Sequence, residues 1–84
     1  MQGRRVYLER DQMHKLEPGD YARASDGMFW MKTPNGIVGR LNPAIHSITE
    51  HEDGTITVSP SILCKMNIEG RTWHGWLEKG IWRE

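Results

Sequence analysis

The sequence predicts an all-β fold: a small single-domain antiparallel meander, arranged as a compact sandwich or an open barrel built from hairpins. Turn signals that contain glycine recur at short intervals, and the runs between them are about five to nine residues long. Runs of this length are too short for typical helices and suit strands. A chain of 84 residues is also too short for two cores, so we expect one domain.

Each expected strand lies between two of these turn signals or beside a chain end. A short helix from Asp11 to Leu16 is conceivable, but its apolar positions are too few to assign it. The candidate strands are Arg4 to Glu9, Asp20 to Ala24, Met28 to Thr33, Ile37 to Leu41, Ile45 to His51, Thr55 to Ser59, Met66 to Ile68, Arg71 to Leu77 and Ile81 to Arg83.

The central hairpin can close in two registers. A two-residue turn at Asp53-Gly54 would place His46 opposite Ser61, with Glu50 on the same face. That pairing would resemble a catalytic pair with an orienting carboxylate. Pro60, which lacks a ladder donor, is expected to end the regular pairing close to this point.

A three-residue turn over residues 52–54, ending in a left-handed glycine, gives the other register. It pairs Ile48 with Val58 and Glu50 with Ile56, which gathers the apolar side chains on one face. Because register follows the apolar pattern, this pairing is favoured.

The C-terminal hairpin also has two registers. A three-residue loop over residues 78–80 pairs Leu77 with Ile81 and Trp76 with Trp82, whereas a two-residue Lys79-Gly80 turn pairs Leu77 with Trp82. In both cases His74 stands beside large aromatic rings. The tryptophans are expected mainly to build the core, since each large aromatic ring buries much apolar surface.

Ser61 is the candidate nucleophile, because it follows Pro60 at a strand end where a hydroxyl can be held and exposed. His74 or His51 could serve as its base, with His51 or Glu50 as the orienting group. The alternative is structural, since serines at strand ends often bond nearby backbone groups.

A second candidate site surrounds the Pro-Asn-Gly turn. Trp30 and Phe29 supply an aromatic platform, and Lys32 and Arg40 supply charges for an anionic ligand. The same residues could equally be core plus solvated surface. The candidate ligand-binding residues are Trp30, Lys32, Asn35, Arg40 and Trp76.

We predict no metal and no cofactor. The best available metal ligands would be His46, His51 and Cys64, but the sequence lacks the short Cys or His pairs that are typical of zinc sites. A single cysteine also gives no intramolecular disulfide, which favours a cytoplasmic location.

Composition limits the classes of partner. Eleven basic residues balance eleven acidic ones, which argues against general nucleic-acid binding. No stretch approaches the roughly 18 apolar residues that a membrane span requires, and no signal-peptide run is present. The partner classes that remain are another protein, which is a host protein if the chain is encoded by a phage, and a small anionic ligand; exposed strand edges also suit a homodimer.

Three segments resemble a family of small bacteriophage proteins of unknown function: TPNG (Thr33 to Gly36), EHEDGTITVSPSIL (Glu50 to Leu63) and GRTWHGWLEKGIW (Gly70 to Trp82). Some members carry the label ammonia monooxygenase, although this chain has no copper or iron ligand set. The resemblance implies an accessory protein that acts in the host cytoplasm and counters host defence.

A more distant resemblance is to larger proteins, suspected of being peptidases, that are encoded beside bacterial ubiquitin-like conjugation genes. Their Ser-Pro-Ser-Ile and His-aromatic segments match residues 59–62 and 73–76 here. This similarity implies Ser61 and His74 as the reactive pair of a minimal serine hydrolase. The larger proteins have a cysteine-rich, metal-binding stretch where this chain has TPNG.

Overall fold

The computed structural model describes residues 1–8, 12–66 and 70–84, and only the backbone of Met66. The all-β prediction is confirmed, because the described residues form two four-stranded sheets and one short 3-10 turn, Met13–Lys15. The strands are β1 (Arg4–Arg5), β2 (Asp20–Arg23), β3 (Phe29–Lys32), β4 (Val38–Arg40), β5 (Ser47–Glu50), β6 (Ile56–Met66), β7 (Arg71–Glu78) and β8 (Ile81–Arg83).

Both sheets are meanders, with strand orders β1-β2-β3-β4 and β5-β6-β7-β8. The pairing is antiparallel except at one place, where β1 runs parallel to β2. The residues before β1 explain this exception. The Met1 carbonyl accepts from the Trp82 amide at 2.8 Å, and the Gly3 amide donates to Gly80 at 2.7 Å, so the N-terminal segment joins the edges of both sheets.

The two sheets share one core. Trp82 is central to it: its ring meets Trp73 edge-on at 5.1 Å between centroids, and its Nε1 donates to the Gly19 carbonyl at 2.9 Å. Large apolar side chains supply most of the buried volume, as expected for a small domain. The members are Tyr21, Phe29, Met31, Ile37 and Leu41 from the first half of the chain, and Ile56, Val58, Ile62, Trp73, Leu77 and Trp82 from the second.

Charged side chains also join the two sheets. Arg23 of β2 bonds Glu50 of β5 at 2.8 Å, and Arg5 of β1 lies 3.6 Å from the same carboxylate. Both guanidinium groups lie over the Phe29 ring, at 4.9 and 5.0 Å. Arg5 also donates to the Gly54 carbonyl at 3.0 Å. The contact therefore combines ion pairing with cation-π packing.

The favoured register of the central hairpin is confirmed. Ile48 pairs with Val58 and Glu50 with Ile56, and Gly54 closes the turn with a φ of 87°. A glycine adopts this left-handed conformation without steric cost. The two-residue turn, which would have set His46 directly opposite Ser61, is wrong.

The expectation that Pro60 ends the strand is also wrong. β6 continues for 11 residues to Met66, because β7 tolerates a change of register beside the proline. Val58 pairs with Leu77 and Ile62 with Gly75, so an advance of four residues along β6 corresponds to only two residues along β7. This bulge accommodates the missing proline donor and re-aims the side chains between its ends.

The C-terminal hairpin takes the two-residue turn. Leu77 pairs with Trp82, while Lys79 and Gly80 have φ values of 47° and 76°, as in the tight turns with two left-handed residues that suit hairpin twist. Consequently Trp82 points into the core, whereas Trp76 faces outward with 42% of its surface exposed. The three-residue alternative is wrong.

Three expected elements include residues outside the described ranges. β1 ends at Arg5, and Glu9 of its predicted continuation is not described. The helix expected from Asp11 is represented by the 3-10 turn Met13–Lys15, and Asp11 itself is not described. The strand expected from Met66 to Ile68 lies mostly in the undescribed residues 67–69. Among the described residues, no helix is long and apolar enough to cross a membrane.

Candidate functional site

The outer surface of the first sheet carries aromatic and basic side chains together. Trp30 pairs with Arg40 and Lys32 pairs with Val38. Because side chains alternate across a strand, these four residues share the face that points away from the core. We call this surface, made of Trp30, Lys32, Val38 and Arg40, the basic face.

The two cations of the basic face have no bonding partner within residues 1–8, 12–66 and 70–84. Neither the ammonium group of Lys32 nor the guanidinium of Arg40 forms a salt bridge or hydrogen bond with any described residue. Arg4, by contrast, donates twice to Asp20, at 3.2 and 3.0 Å, and this bonding raises its pKa. Lys32 and Arg40 are therefore available to an external anion.

Two other residues predicted to bind ligand have different roles. Asn35 sits at the tip of the β3-β4 hairpin, where its amide oxygen accepts from Thr33 at 2.6 Å and its amide nitrogen donates to the Thr72 carbonyl at 3.1 Å. Its side chain therefore links the hairpin tip to β7. Trp76 lies on the second sheet, so it does not join the Trp30 platform.

The outer surface of the second sheet contains the predicted serine and histidine. The Ser61 hydroxyl lies 3.0 Å from Nε2 of His74, a hydrogen-bond distance. His74 pairs with Leu63, and Ser61 lies two residues before Leu63 on the same face, so Ser61 is diagonal to His74. We call Ser61, Leu63, His74 and Trp76 the serine-histidine face.

Two more rings approach the same serine and histidine. Nε2 of His46 lies 3.2 Å from the Ser61 carbonyl oxygen, which can only accept, so this nitrogen carries the proton. The Trp76 ring lies 5.7 Å from the His74 ring, tilted by 39°. Thus His46 holds the backbone of Ser61 while His74 contacts its hydroxyl.

The predicted orienting groups are not part of this face. Glu50 bonds Arg23 and Arg5 on the core side of β5. His51 bonds the Thr57 hydroxyl through Nε2 at 2.7 Å, and the same hydroxyl accepts from the Lys79 amide at 2.9 Å. Within the described part of the chain, no carboxylate contacts His74, so Ser61 and His74 form a two-residue arrangement.

A shallow depression of about 340 Å³ lies beside His51. It is lined by His51, Glu52, Asp53, Thr55 and Lys79. The Asp53 carboxylate accepts from the Thr55 hydroxyl at 2.6 Å and its amide at 3.0 Å. These bonds lower the pKa of Asp53, because they favour the charged carboxylate. The depression does not include Ser61 or His74.

The three residues named as the best metal ligands do not meet. His46 contacts Ser61 and His51 contacts Thr57, whereas Cys64 packs partly buried against the core. In residues 1–8, 12–66 and 70–84, no group of three or more His, Cys, Asp or Glu side chains could hold a metal ion. Burial raises the pKa of the Cys64 thiol, so it is a poor thiolate donor.

Comparison with known proteins adds no functional assignment. No family model matches the chain, and neither a curated protein nor a solved structure matches it. Any functional assignment therefore depends on the chemistry of the basic face and the serine-histidine face.

Proposed function

We propose that this protein is a small accessory protein that binds an anionic partner through its basic face. The observation that carries the proposal is that the half-buried Trp30 and Lys32 and the exposed Arg40 share the outer surface of the first sheet, without any carboxylate partner among the described residues. The other arginines with assigned ion pairs, such as Arg4 and Arg23, are already neutralised.

The geometry suits recognition of a carboxylate or phosphate beside an apolar group. Arg40 can bind such an anion in a bidentate manner, while Lys32 contributes a mobile point charge. Trp30 lies directly across from Arg40 and offers a flat ring for packing. Exposed cations of this kind increase association rates more than they increase affinity.

A host protein and a small anionic ligand are both partners of this chemistry. The resemblance of TPNG and of residues 50–63 to small phage proteins favours a host protein, bound in the host cytoplasm. On this proposal the protein binds to a surface of the host protein and thereby counters a host defence.

The test is a titration of the isotope-labelled protein with two anionic probes, a glutamate-rich peptide and citrate. We expect resonances of Trp30, Lys32 and Arg40 to shift, and the double variant K32E/R40E to bind at least tenfold more weakly. The control is K65E/R83E, which changes the net charge equally at exposed positions of the second sheet. Equal loss in the two variants would contradict a specific basic face.

The second candidate function is hydrolysis, and the 3.0 Å contact between Ser61 and His74 favours it. In this reaction Nε2 of His74 accepts the Ser61 proton as Oγ attacks an ester or amide carbonyl. The imidazolium then protonates the leaving group, which gives an acyl-serine. A water molecule, deprotonated by His74, hydrolyses the acyl-serine and restores both residues.

Labelling with a fluorophosphonate, which reacts with activated serines, tests this second function. If hydrolysis occurs, the probe modifies Ser61, and S61A and H74A both abolish the labelling. Ser59, two residues earlier on the exposed strand, provides the matched control, since S59A should retain full labelling. Unlabelled wild-type protein, with a trypsin control that is labelled, would reject the hydrolase.

A further inference from the structure

We infer that the partner at the basic face is an acidic protein segment in extended conformation, which adds to the free edge of β4 as a fifth strand of the first sheet. This inference rests on the proposed anion-binding function and specifies its partner. The relevant feature is the position of β4, which ends the strand order β1-β2-β3-β4. Among the described strands, none therefore lies beside the outer side of β4.

The hydrogen-bonding phase of the β3-β4 hairpin determines which groups face that free side. Amide-to-carbonyl bonds join Thr33 to Ile37 and Leu41 to Phe29, both at 2.8 Å. Bonded and non-bonded pairs alternate in an antiparallel ladder, so the pairs that contain Val38 and Arg40 are the non-bonded ones. The backbone N–H and C=O groups of Val38 and Arg40 consequently point away from β3.

These four backbone groups form a template for a further strand. Within the described residues, no backbone bond outside the regular strands engages Val38 or Arg40. An incoming extended segment would supply complementary carbonyl and amide groups at the same spacing. The same two residues also carry the exposed side chains of the edge, so backbone and side-chain recognition coincide there.

The side chains of the basic face define the sequence of the segment. On the outer surface, the added residues beside Arg40 and beside Val38 should both be Glu or Asp, because the cations of this surface are Arg40 and Lys32. Lys32 lies one strand further in, across from Val38, and reaches the same acidic side chains. Every second residue of the segment thus lies on the same side of the sheet as the basic face.

Of the other terminal strands, β1 and β8 are linked by the N-terminal segment, and β5 is a poor place for such a segment. β5 is the first strand in the order β5-β6-β7-β8, but it ends in Glu50 and is followed by Glu52 and Asp53. An acidic segment would meet like charges there. Nucleic acid is also a weaker match to β4, since phosphate oxygens accept hydrogen bonds but do not donate to the strand carbonyls.

The first experiment uses a fluorescent eight-residue peptide of alternating valine and glutamate, and measures its binding by anisotropy. Val38→Pro removes an outward N–H at a position where an edge strand tolerates proline. We expect V38P to weaken binding at least tenfold and V38T, which keeps the N–H, to weaken it less than threefold. Amide chemical shifts report whether V38P remains folded.

The second experiment leaves the protein unchanged and modifies the peptide. One peptide is N-methylated at its glutamate amides and another at its valine amides. Strand addition requires that only alternate peptide amides face β4, so one of the two peptides should bind at least tenfold more weakly than the other. Equal binding of the two would overturn strand addition, even if V38P fails to fold.

The outcomes separate this inference from the proposed function. Binding that K32E/R40E abolishes, but that neither methylation pattern changes, keeps the anionic partner and overturns strand addition. Absence of binding to every anionic probe rejects the proposed function itself. If the protein self-associates and V38P removes this self-association, the edge of β4 binds a second copy. If an oligothymidylate binds more tightly than the peptide, the basic face binds nucleic acid. Either result overturns the inference.

Discussion

The polar groups on the outer faces of the two sheets differ in whether they are already bonded within the protein. On the second sheet, the Ser61 hydroxyl and carbonyl are each bonded to a histidine, at 3.0 and 3.2 Å. On the first sheet, Lys32 and Arg40 are unpaired within the described residues. A candidate site can thus be recognised either by bonds it has already formed or by bonds it still lacks.

Each arrangement has its own functional meaning. A partner of the basic face gains charge-assisted bonds without breaking a bond between described residues, so this face is ready for binding. A ligand at Ser61 must replace an existing contact, unless that contact is the proton transfer itself. The four predictions below test this contrast, in order of decreasing effect on the free energy of unfolding.

The largest effect is expected behind the serine-histidine face, at Gly75. A Cβ at this position would collide with the Arg83 carbonyl oxygen and come within 2.6 Å of the Trp73 ring. Neither can retreat easily, so Gly75→Ala should cost about 3 kcal/mol of unfolding free energy, measured by urea denaturation.

Gly39, behind the basic face, is the matched control for Gly75. Its added Cβ would meet Cys64 Sγ at 2.9 Å and Met31 Cε at 3.5 Å. Both are side-chain atoms that can move, so Gly39→Ala should cost about 1 kcal/mol. Equal costs would show that the second sheet is not the more rigid support.

The next effect concerns cations that are paired. Glu50→Gln removes the charge that Arg5 and Arg23 share, and should lower the unfolding free energy by about 1 kcal/mol, since the contact is only partly exposed. Glu52→Gln, in the adjacent exposed turn, should change it by less than about 0.5 kcal/mol. A large effect at Glu52 would mean that general charge, and not the pairing, matters.

A smaller effect is expected from the serine and histidine themselves. Ser61→Ala, His74→Ala and the double variant form a cycle whose coupling energy should be about 0.5 kcal/mol, as for an exposed hydrogen bond. The same cycle at Lys32 and Arg40 should give no favourable coupling, because these two cations share no partner. Favourable coupling there would remove the contrast between the faces.

The smallest effect is on pH dependence through Cys64. Burial raises the pKa of its thiol, so the folded state favours the protonated form. The associated stability is fully present below the unfolded pKa and is lost as the pH rises through the folded pKa. Between about pH 8 and 10, Cys64→Ala should therefore lose less stability than the wild type, measured by thermal denaturation. An identical slope in both proteins would contradict a buried thiol.

Sequence reasoning was reliable where apolar residues alternate. Ile48, Ile56 and Val58 determined the central register, because a one-residue slip would have exposed all three. The same reasoning failed at Pro60, since a proline shows that a ladder bond is missing but not whether the strand bulges or ends. It left the C-terminal hairpin open, because both registers place apolar residues together.

The candidate site was predicted only in part. Trp30, Lys32 and Arg40 could be grouped because they flank one hairpin turn. Ser61 was chosen for its place at a strand end, with His74 or His51 as its base, and a resemblance, not register, singled out His74. The free edge of β4 and the role of Val38 were missed, since strand order is a property of the whole fold. The ion pairs of Glu50 were also missed, because their partners Arg5 and Arg23 are distant in sequence.

The pairing of the N-terminal segment with β8 affects how the protein folds during its synthesis. Backbone bonds join Met1 to Trp82 and Gly3 to Gly80, so segments that lie far apart in the sequence are paired. Contacts of such long sequence separation slow folding. During vectorial synthesis the amino-terminal residues must wait, without their strand partners, until β8 has left the ribosome. A fusion at the amino terminus would therefore disturb assembly more than one joined to an interior hairpin loop.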